Sequence, residues 1–96
     1  MVIEDYGRVE LFWIVPEINR RRYYSISVEP CLFGPVVSRS WGRIGVGSLR
    51  SKEHFFPEGN IEAALNKANR LLVAKLRKGY GIRNQIFLLH STTDMI

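Results

Sequence analysis

Apolar and polar residues alternate in several short segments of the first part of the chain, a pattern typical of strands that bury one face. In one segment Tyr24, Ile26 and Val28 share a face, and the residues between them share the opposite face. Other segments are rich in β-branched and aromatic residues, and prolines or glycines separate them. The strongly basic residues 16–22 are predicted to connect the first two strands. We therefore predict four strands, at residues 8–15, 23–29, 36–44 and 52–56.

An amphipathic helix is predicted for residues 61–78. Asn60 can cap its first turn, Glu62 lies near its N-terminus, and Gly79 can end it with a left-handed backbone. At about 100° per residue, one apolar stripe collects Ile61, Leu65, Ala68, Leu72 and Leu76. The basic residues predicted on the opposite side are Lys67, Arg70, Arg77 and Lys78.

One helix with a single apolar stripe needs a sheet to cover it. The predicted fold is therefore α+β, an antiparallel β-sheet of four to five strands with one amphipathic α-helix packed on it. A last strand is considered at residues 86–90. The 96 residues contain no repeat or long linker, and we interpret residues 1–96 as a single domain. Residues 91–96 are expected to form a loosely ordered tail.

Composition narrows the class of protein. Hydrophobic residues make up 46% and charged residues 24% of the chain, which are ordinary globular values. No run approaches the ~20 apolar residues of a membrane span, and the start lacks the layout of a signal peptide. The single cysteine, Cys31, cannot form an internal disulfide or a zinc cage, and we expect it to pack as a small apolar group. A soluble, cytoplasmic protein without a membrane partner is expected.

The charge of the chain is unevenly distributed. There are 14 lysines and arginines against 9 acidic residues, which gives a net charge of +5. Residues 1–18 are acidic on balance, whereas residues 19–96 contain thirteen basic and five acidic side chains. Ten of the fourteen basic residues are arginine, which suits bidentate phosphate contacts and stacking. This charge favours a polyanionic partner.

The third predicted strand carries the most informative pattern. Strict alternation places Arg39, Trp41 and Arg43 on one face. An indole flanked by guanidiniums suits a nucleic acid, because the ring can stack on a base or sugar while the arginines contact phosphates. The alternative is that Trp41 packs sideways into the sheet edge, with its arginines stacked on it as cation–π partners. Alternation alone leaves both interpretations open.

Several spaced elements resemble one known family. The segment Trp41-Gly42-Arg43-Ile44-Gly45 resembles the signature of the WGR domain, a small module found in poly(ADP-ribose) polymerases and as stand-alone bacterial proteins. The resemblance covers residues 19–80, and the family's fold agrees with the predicted one. The other matching elements, in order, are Tyr23-Tyr24-Ser25-Ile26, the turn at 45–47, Phe55 or Phe56, Ala64, and Lys75-Leu76-Arg77-Lys78-Gly79-Tyr80.

This resemblance implies a nucleic-acid-binding module. In the polymerases the signature Trp and Arg lie at the DNA end, and these roles would fall to Trp41 and Arg43, with Gly42 letting backbone and indole come close. Two positions depart from the family pattern, since Arg21 stands where Asn is common and Ser48 stands where Gln is usual. The resemblance therefore leaves recognition of ends or nicks open, while adjacent arginines would strengthen non-specific phosphate contact. It implies no transferase activity.

Other patterns point to no enzyme and no cofactor. The glycine-rich residues 42–47 lead into a strand rather than a helix, so we interpret them as a tight turn and not as a dinucleotide-binding loop. His54 and His90 have no cysteine or acidic cluster at ligand spacing, which argues against a metal site. The sequence brings together no nucleophile, base and oxyanion site, so a non-enzymatic protein is expected.

Two functional hypotheses follow. The first is a nucleic-acid-binding module with low sequence specificity, for DNA rather than RNA, with strand ends or nicks as further targets. The second is a protein adaptor that docks the same face on an acidic partner surface, since Trp and Arg anchor many interfaces. The oligomeric state and the role of residues 1–18 are left open. The residues assigned to nucleic-acid binding are Arg20, Arg21, Arg22, Arg39, Trp41, Gly42 and Arg43.

Overall fold

Five strands form one antiparallel sheet, and a single helix packs on it. The computed structural model describes residues 3–56 and 60–87. The strands are β1 (Gly7–Val15), β2 (Arg20–Glu29), β3 (Val36–Arg43), β4 (Arg50–Phe55) and β5 (Gly81–Phe87), and the helix is α1 (Ile61–Lys78). Their order across the sheet is β4-β3-β2-β1-β5, with antiparallel pairing throughout. The predicted α+β fold is confirmed.

The core lies between α1 and one side of the sheet, which we call the helix face; the other side is the open face. Val9, Leu11 and Ile26 of the central strands are fully buried on the helix face. Ala64 and Ala68, one turn apart on α1, are fully buried as well, and their small side chains let the helix lie close to the strands. Each large apolar side chain buried here contributes about 1.5–3 kcal/mol to the free energy of unfolding.

The buried stripe of α1 is shifted slightly from the predicted one. Ala68 and Leu72 are fully buried, as predicted, but so is Ala64. The centre of the stripe therefore lies toward the side of α1 that carries Lys75. The predicted members that are only partly buried are Ile61, Leu65 and Leu76.

Both ends of α1 are as predicted. The side chain of Asn60 accepts a hydrogen bond from the Ala63 amide at 3.1 Å. Gly79 ends the helix with φ at +134°, in the left-handed half of the backbone map that favours glycine. The indole of Trp13 packs directly on Gly79, so that a Cβ placed there would lie 2.6 Å from the ring.

The connection between β1 and β2 is shorter than predicted. Pro16–Ile18 form one turn of 3-10 helix, and Asn19 follows with φ at +52°. Asparagine tolerates this left-handed conformation, so the chain reverses at once and strand pairing starts with Val15 and Arg20. The prediction of a basic connection over residues 16–22 is therefore wrong, because residues 20–22 belong to β2.

The last strand begins earlier than predicted. β5 covers Gly81–Phe87 and pairs with β1 at the edge of the sheet, whereas the sequence favoured residues 86–90. Its polar middle, with Asn84 and Gln85, has low β-propensity and hides the alternation. Residues 57–59 and 88–90 and the predicted tail at 91–96 lie outside the described residues.

The predicted packing of Cys31 is wrong. Its side chain is exposed at the tip of the connection between β2 and β3. A hydrogen bond from the Gly34 amide to the Cys31 carbonyl closes a tight turn there. Leu32 and Phe33, in the same turn, are exposed as well.

We expect Gly79→Ala to lower the free energy of unfolding by more than about 2 kcal/mol, because the methyl group meets Trp13 and the backbone conformation is strained for alanine. Gly47→Ala is the matched control, since no atom lies within 4 Å of a Cβ placed at Gly47. Its expected change is below about 0.5 kcal/mol. Urea unfolding followed by Trp fluorescence measures both, and equal losses in the two variants would contradict the packing described here.

Candidate nucleic-acid interface

The register between β2 and β3 places Arg39 and Trp41 on the helix face. Trp41 pairs with Tyr24 and Arg39 pairs with Ile26, and both partners belong to the core. The two side chains are partly buried where β3 passes the C-terminal end of α1. The predicted face is therefore the rim of the core, not a free surface of the sheet.

Trp41 belongs to a group of packed aromatic rings. It stacks on Tyr24, with ring centroids 6.1 Å apart and an interplanar angle of 20°. The Tyr80 ring packs edge-on against Tyr24 at 5.9 Å. The Arg39 guanidinium lies 5.5 Å from the Trp41 ring centroid and donates a 3.3 Å hydrogen bond to the Tyr24 hydroxyl. The geometry thus favours the interpretation in which an arginine stacks on Trp41, while part of the indole stays exposed.

Four cations surround these rings. They line a cavity of about 320 Å³ together with Trp41, Tyr24 and Tyr80. None of its lining residues is acidic, and within residues 3–56 and 60–87 the only ion pair joins Arg8 to Glu10, on the open face. The positive charge at this cavity is therefore not neutralised by the described part of the protein. The four cations are Arg22, Arg39, Lys75 and Lys78.

Two of the four cations, Lys75 and Arg39, are partly buried and lie close to other positive charges. The Lys75 ammonium lies 4.5 Å from the Tyr24 ring centroid. Burial, followed by the charges of Lys78 and Arg39, lowers the pKa of Lys75 below its ordinary value. The Nε atom of Arg39 is buried and has no hydrogen-bond partner among the described residues. An anion placed in the cavity would offset the repulsion between these cations.

The same charge extends toward the edge of the sheet. Lys52 pairs with Arg39 across β3 and β4, and His54 pairs with Val37. Burial, then the charges of Lys67, Arg39 and Lys52, lowers the pKa of His54. These residues and the cavity cations form one surface, which we call the cationic face. Its lysines and arginines are Arg22, Arg39, Lys52, Lys67, Lys75 and Lys78.

Arg43 and Gly42 lie at the end of β3, next to the cationic face. Arg43 donates hydrogen bonds to the backbone oxygen and the side-chain Oδ1 of Asn19, at 3.1 and 3.0 Å. A Cβ at Gly42 would lie 2.8 Å from a methyl carbon of Leu49 and 3.4 Å from the Ser48 carbonyl. Gly42 therefore makes room for the β3–β4 loop.

The three consecutive arginines do not act as one cluster, because they alternate along β2. The Arg20 guanidinium stacks on Trp13, 4.2 Å from the ring centroid. Arg21 is exposed and its place in the strand puts it on the open face. Arg22 lines the cavity beside Trp41 and a neighbouring one of about 360 Å³ that also contains Arg43 and Arg50. Of the three, only Arg22 is brought to Trp41.

Sequence reasoning missed Lys75 and Lys78 as site residues. Lys78 was placed on the helix side opposite the sheet, but it lines the Trp41 cavity. Lys75 did carry a signal, because it lies at helical spacing from Ala68 and Leu72, on the buried stripe, where lysine is uncommon. Its partners across the cavity become visible only when α1 is placed against β3.

Other candidate chemistry is sparse. No group of three or more His, Cys, Asp or Glu side chains within residues 3–56 and 60–87 is arranged to hold a metal ion. The glycine-rich segment after β3 contains Gly45 with φ at +84° and leads to β4, so the predicted tight turn is confirmed. Among the described helical residues, no segment has the length and apolar character needed to span a membrane.

Comparison with known proteins identifies relatives of this chain. "Uncharacterized protein y4dW" of Sinorhizobium fredii (strain NBRC 101917 / NGR234) is 41% identical over 66 residues. The aligned part is 68% of this chain, and it spans only 31% of the relative's length. No solved structure matches the chain.

A family model, that of the WGR domain, matches residues 11–86. The match extends from β1 to β5 and includes the Trp41-Gly42-Arg43 segment at the end of β3. It therefore covers most of the sheet, all of α1 and the cationic face. The chain belongs to the WGR domain family.

Proposed function

We propose that the protein binds nucleic acid through the cationic face around Trp41, DNA in preference to RNA and with low sequence specificity. The observation that carries this proposal is the cavity in which four cations surround a partly exposed indole and no acidic side chain lines the wall. Such a site suits a phosphodiester backbone next to a sugar or base. Membership in a family of nucleic-acid-binding modules supports it.

Each side chain has a role that follows from its position. Arg22 and Lys78 are both exposed, so they can reach phosphates without any rearrangement of the core. Lys75 and Arg39 are partly buried and held by Tyr24, so they supply charge from fixed positions. Fixed cations lose little side-chain entropy when a phosphate binds. The exposed part of the Trp41 ring would stack on a sugar or base.

Low specificity follows from the chemistry of the cavity walls. Base edges are read mainly by bidentate hydrogen bonds, often from Asn, Gln or Arg side chains. The two cavities beside Trp41 contain no Asn, Gln, Asp or Glu. Their arginines and lysines are suited to phosphates, which position a nucleic acid without reading its sequence.

Strand ends and nicks belong to the same proposal. A partly buried indole cannot stack on a base inside an intact duplex, but it can reach the sugar or base of a terminal nucleotide. Arg43, held by Asn19 at the end of β3, lies beside it. Arg21 stands on the other side of the sheet, so the departure from the family pattern at that position does not alter the walls of the Trp41 cavity.

A protein adaptor is the second candidate. The same uncompensated cations would fit an acidic protein surface, with Trp41 and the arginines as anchors. The two candidates differ in whether DNA binds to the cationic face and in whether Trp41 substitutions weaken that binding, and the following predictions separate them.

We expect Trp41→Ala to weaken binding to a nicked, 5′-phosphorylated duplex by about 1–3 kcal/mol, the usual value of base–aromatic stacking. Because Trp41 also packs on Tyr24, Trp41→Phe serves as the control that keeps an aromatic ring. The loss of binding free energy should be smaller in Trp41→Phe than in Trp41→Ala. Fluorescence anisotropy with nicked, blunt and single-stranded DNA, and with matched RNA, gives the affinities. A folded Trp41→Ala protein with unchanged affinity would contradict the role given to the indole.

Binding should depend steeply on salt, with log K falling against log salt at a slope of about −3 if three or four cations contact phosphates. Lys78→Gln should reduce the magnitude of this slope by about 0.9, because one phosphate contact is lost. Arg77→Gln is the matched control, since Arg77 lies on the outer side of α1, away from Trp41. Equal effects of the two substitutions would show that general charge, and not the cationic face, drives binding.

Affinity for DNA should rise as the pH falls from about 8 to about 5.5, a range that spans the ordinary pKa of histidine. In the free protein, burial and the charges of Lys67, Arg39 and Lys52 hold the pKa of His54 below 6.5. Bound phosphates raise that pKa, so that binding takes up a proton and is favoured at lower pH. His54→Gln should remove most of this pH dependence in anisotropy titrations; the same dependence in the variant would exclude His54 as its source.

A further inference from the structure

A third cavity, of about 270 Å³, opens on the open face, behind the end of β3. It forms where the β3–β4 loop folds over β1 and β2. Phe12 and Tyr23 supply aromatic walls, and their rings meet edge-to-face with centroids 6.0 Å apart. Ile44, Val46 and Leu49 supply aliphatic walls, and the last two remain about half exposed. The cavity is large enough for a flat ring and is not filled by any described side chain.

Glu10 gives this cavity one polar wall. Its Oε2 accepts a 2.9 Å hydrogen bond from the Tyr23 hydroxyl and lies 3.3 Å from an Arg8 nitrogen. Its Oε1 accepts only a long contact of 3.5 Å from Asn84. The carboxylate is thus held in place on one side and keeps acceptor capacity on the other. A ligand with N–H donors on one edge of a flat ring would satisfy it, whereas a phosphate would be repelled.

The cavity is continuous with the proposed nucleic-acid surface. Arg43 and Leu49 line both this cavity and the one that contains Arg22, Trp41 and Arg50. A strand whose phosphate lies between Arg22 and Arg50 could therefore turn around the end of β3 and place its next base on the open face. A paired base cannot do so, because it remains in the helical stack.

We propose that this cavity binds one unpaired nucleobase, with guanine preferred, between the Phe12–Tyr23 wall and the β3–β4 loop. Guanine presents two adjacent N–H donors on its pairing edge, which can converge on the free Oε1 of Glu10, whereas thymine presents a single one. An aliphatic peptide side chain would fill the apolar part of the cavity but would offer no donor to Oε1 of Glu10. The inference rests on the proposed function and adds to it a preference for duplexes with an unpaired terminal base.

The experiment compares blunt duplexes with duplexes that carry one unpaired terminal nucleotide, either guanine, thymine or an abasic residue, at the 5′ or the 3′ end. With the full chain, anisotropy titrations should show the guanine overhang binding about 5- to 150-fold more tightly than the abasic one at one of the two ends, the range expected for stacking of one base. Thymine should lie between them. Blunt duplexes should bind like the abasic overhang.

Substitutions locate the effect. Phe12→Ala should bring the guanine and abasic affinities together without weakening blunt-duplex binding. Val46→Ser, on the exposed loop, should act in the same direction with no risk to the core. Phe55→Ala is the matched control, because Phe55 is an exposed aromatic residue of β4 that does not line the cavity. Glu10→Gln should reduce the preference for guanine over thymine.

The possible outcomes separate this inference from the proposed function. Equal binding of all duplexes, steeply dependent on salt, would overturn the base-binding inference and leave the cationic face intact. A guanine preference that survives both Phe12→Ala and Val46→Ser would place the base elsewhere and would overturn it as well. Absence of binding to every duplex at low salt would overturn the proposed function together with this inference.

Discussion

The antiparallel register between β2 and β3 determines which side chains can meet around Trp41. Because Trp41 pairs with Tyr24, its indole is directed to the helix face and stacks on a core ring. A shift by one residue would turn Trp41 and Arg39 to the open face, where no end of α1 could add its lysines. The tight reversal at Asn19 lets β2 begin early and also holds Arg43 at the strand end. Asn19 at the reversal between β1 and β2 and the pair formed by Trp41 and Tyr24 therefore belong to the pairing of β1, β2 and β3 and also position the candidate site.

The cationic face is unfavourable for folding in the free protein, but the same charges suit it to bind an anion. Like charges repel one another, and the buried Nε of Arg39, which has no partner among residues 3–56 and 60–87, is unfavourable in the free protein. Aromatic rings offset part of this cost, since Lys75 lies over Tyr24 and Arg39 over Trp41. Cations held in this way stay close to one another without carboxylates between them. In the proposed function a phosphodiester backbone would supply the missing negative charge and so would reduce the repulsion between these cations.

Local patterns predicted the elements well, whereas contacts between elements could not be read from them. Asn60 and Gly79 fix the ends of α1 through their own backbone chemistry, so sequence alone was sufficient there. The three arginines at 20–22 were misplaced because the left-handed Asn19 shortens the connection, which a polar segment does not reveal. Trp41 and Arg39 were found from alternation, but Lys75 joins them only through the packing of α1 on β3. The sequence therefore predicts which residues share a face of a strand or helix, whereas the contacts between these faces are seen only in the folded structure.

The central claim is that nucleic acid binds on the cationic face and not on the rest of a generally basic protein. The most direct test is an NMR titration of the ¹⁵N-labelled chain with a short nicked duplex. The account predicts that the largest chemical-shift changes occur at the Trp41 indole N–H and at the backbone amides around Arg22, Lys75 and Lys78. Shifts concentrated on the outer side of α1, around Arg70 and Arg77, or at the exposed Leu32–Phe33 tip would contradict it.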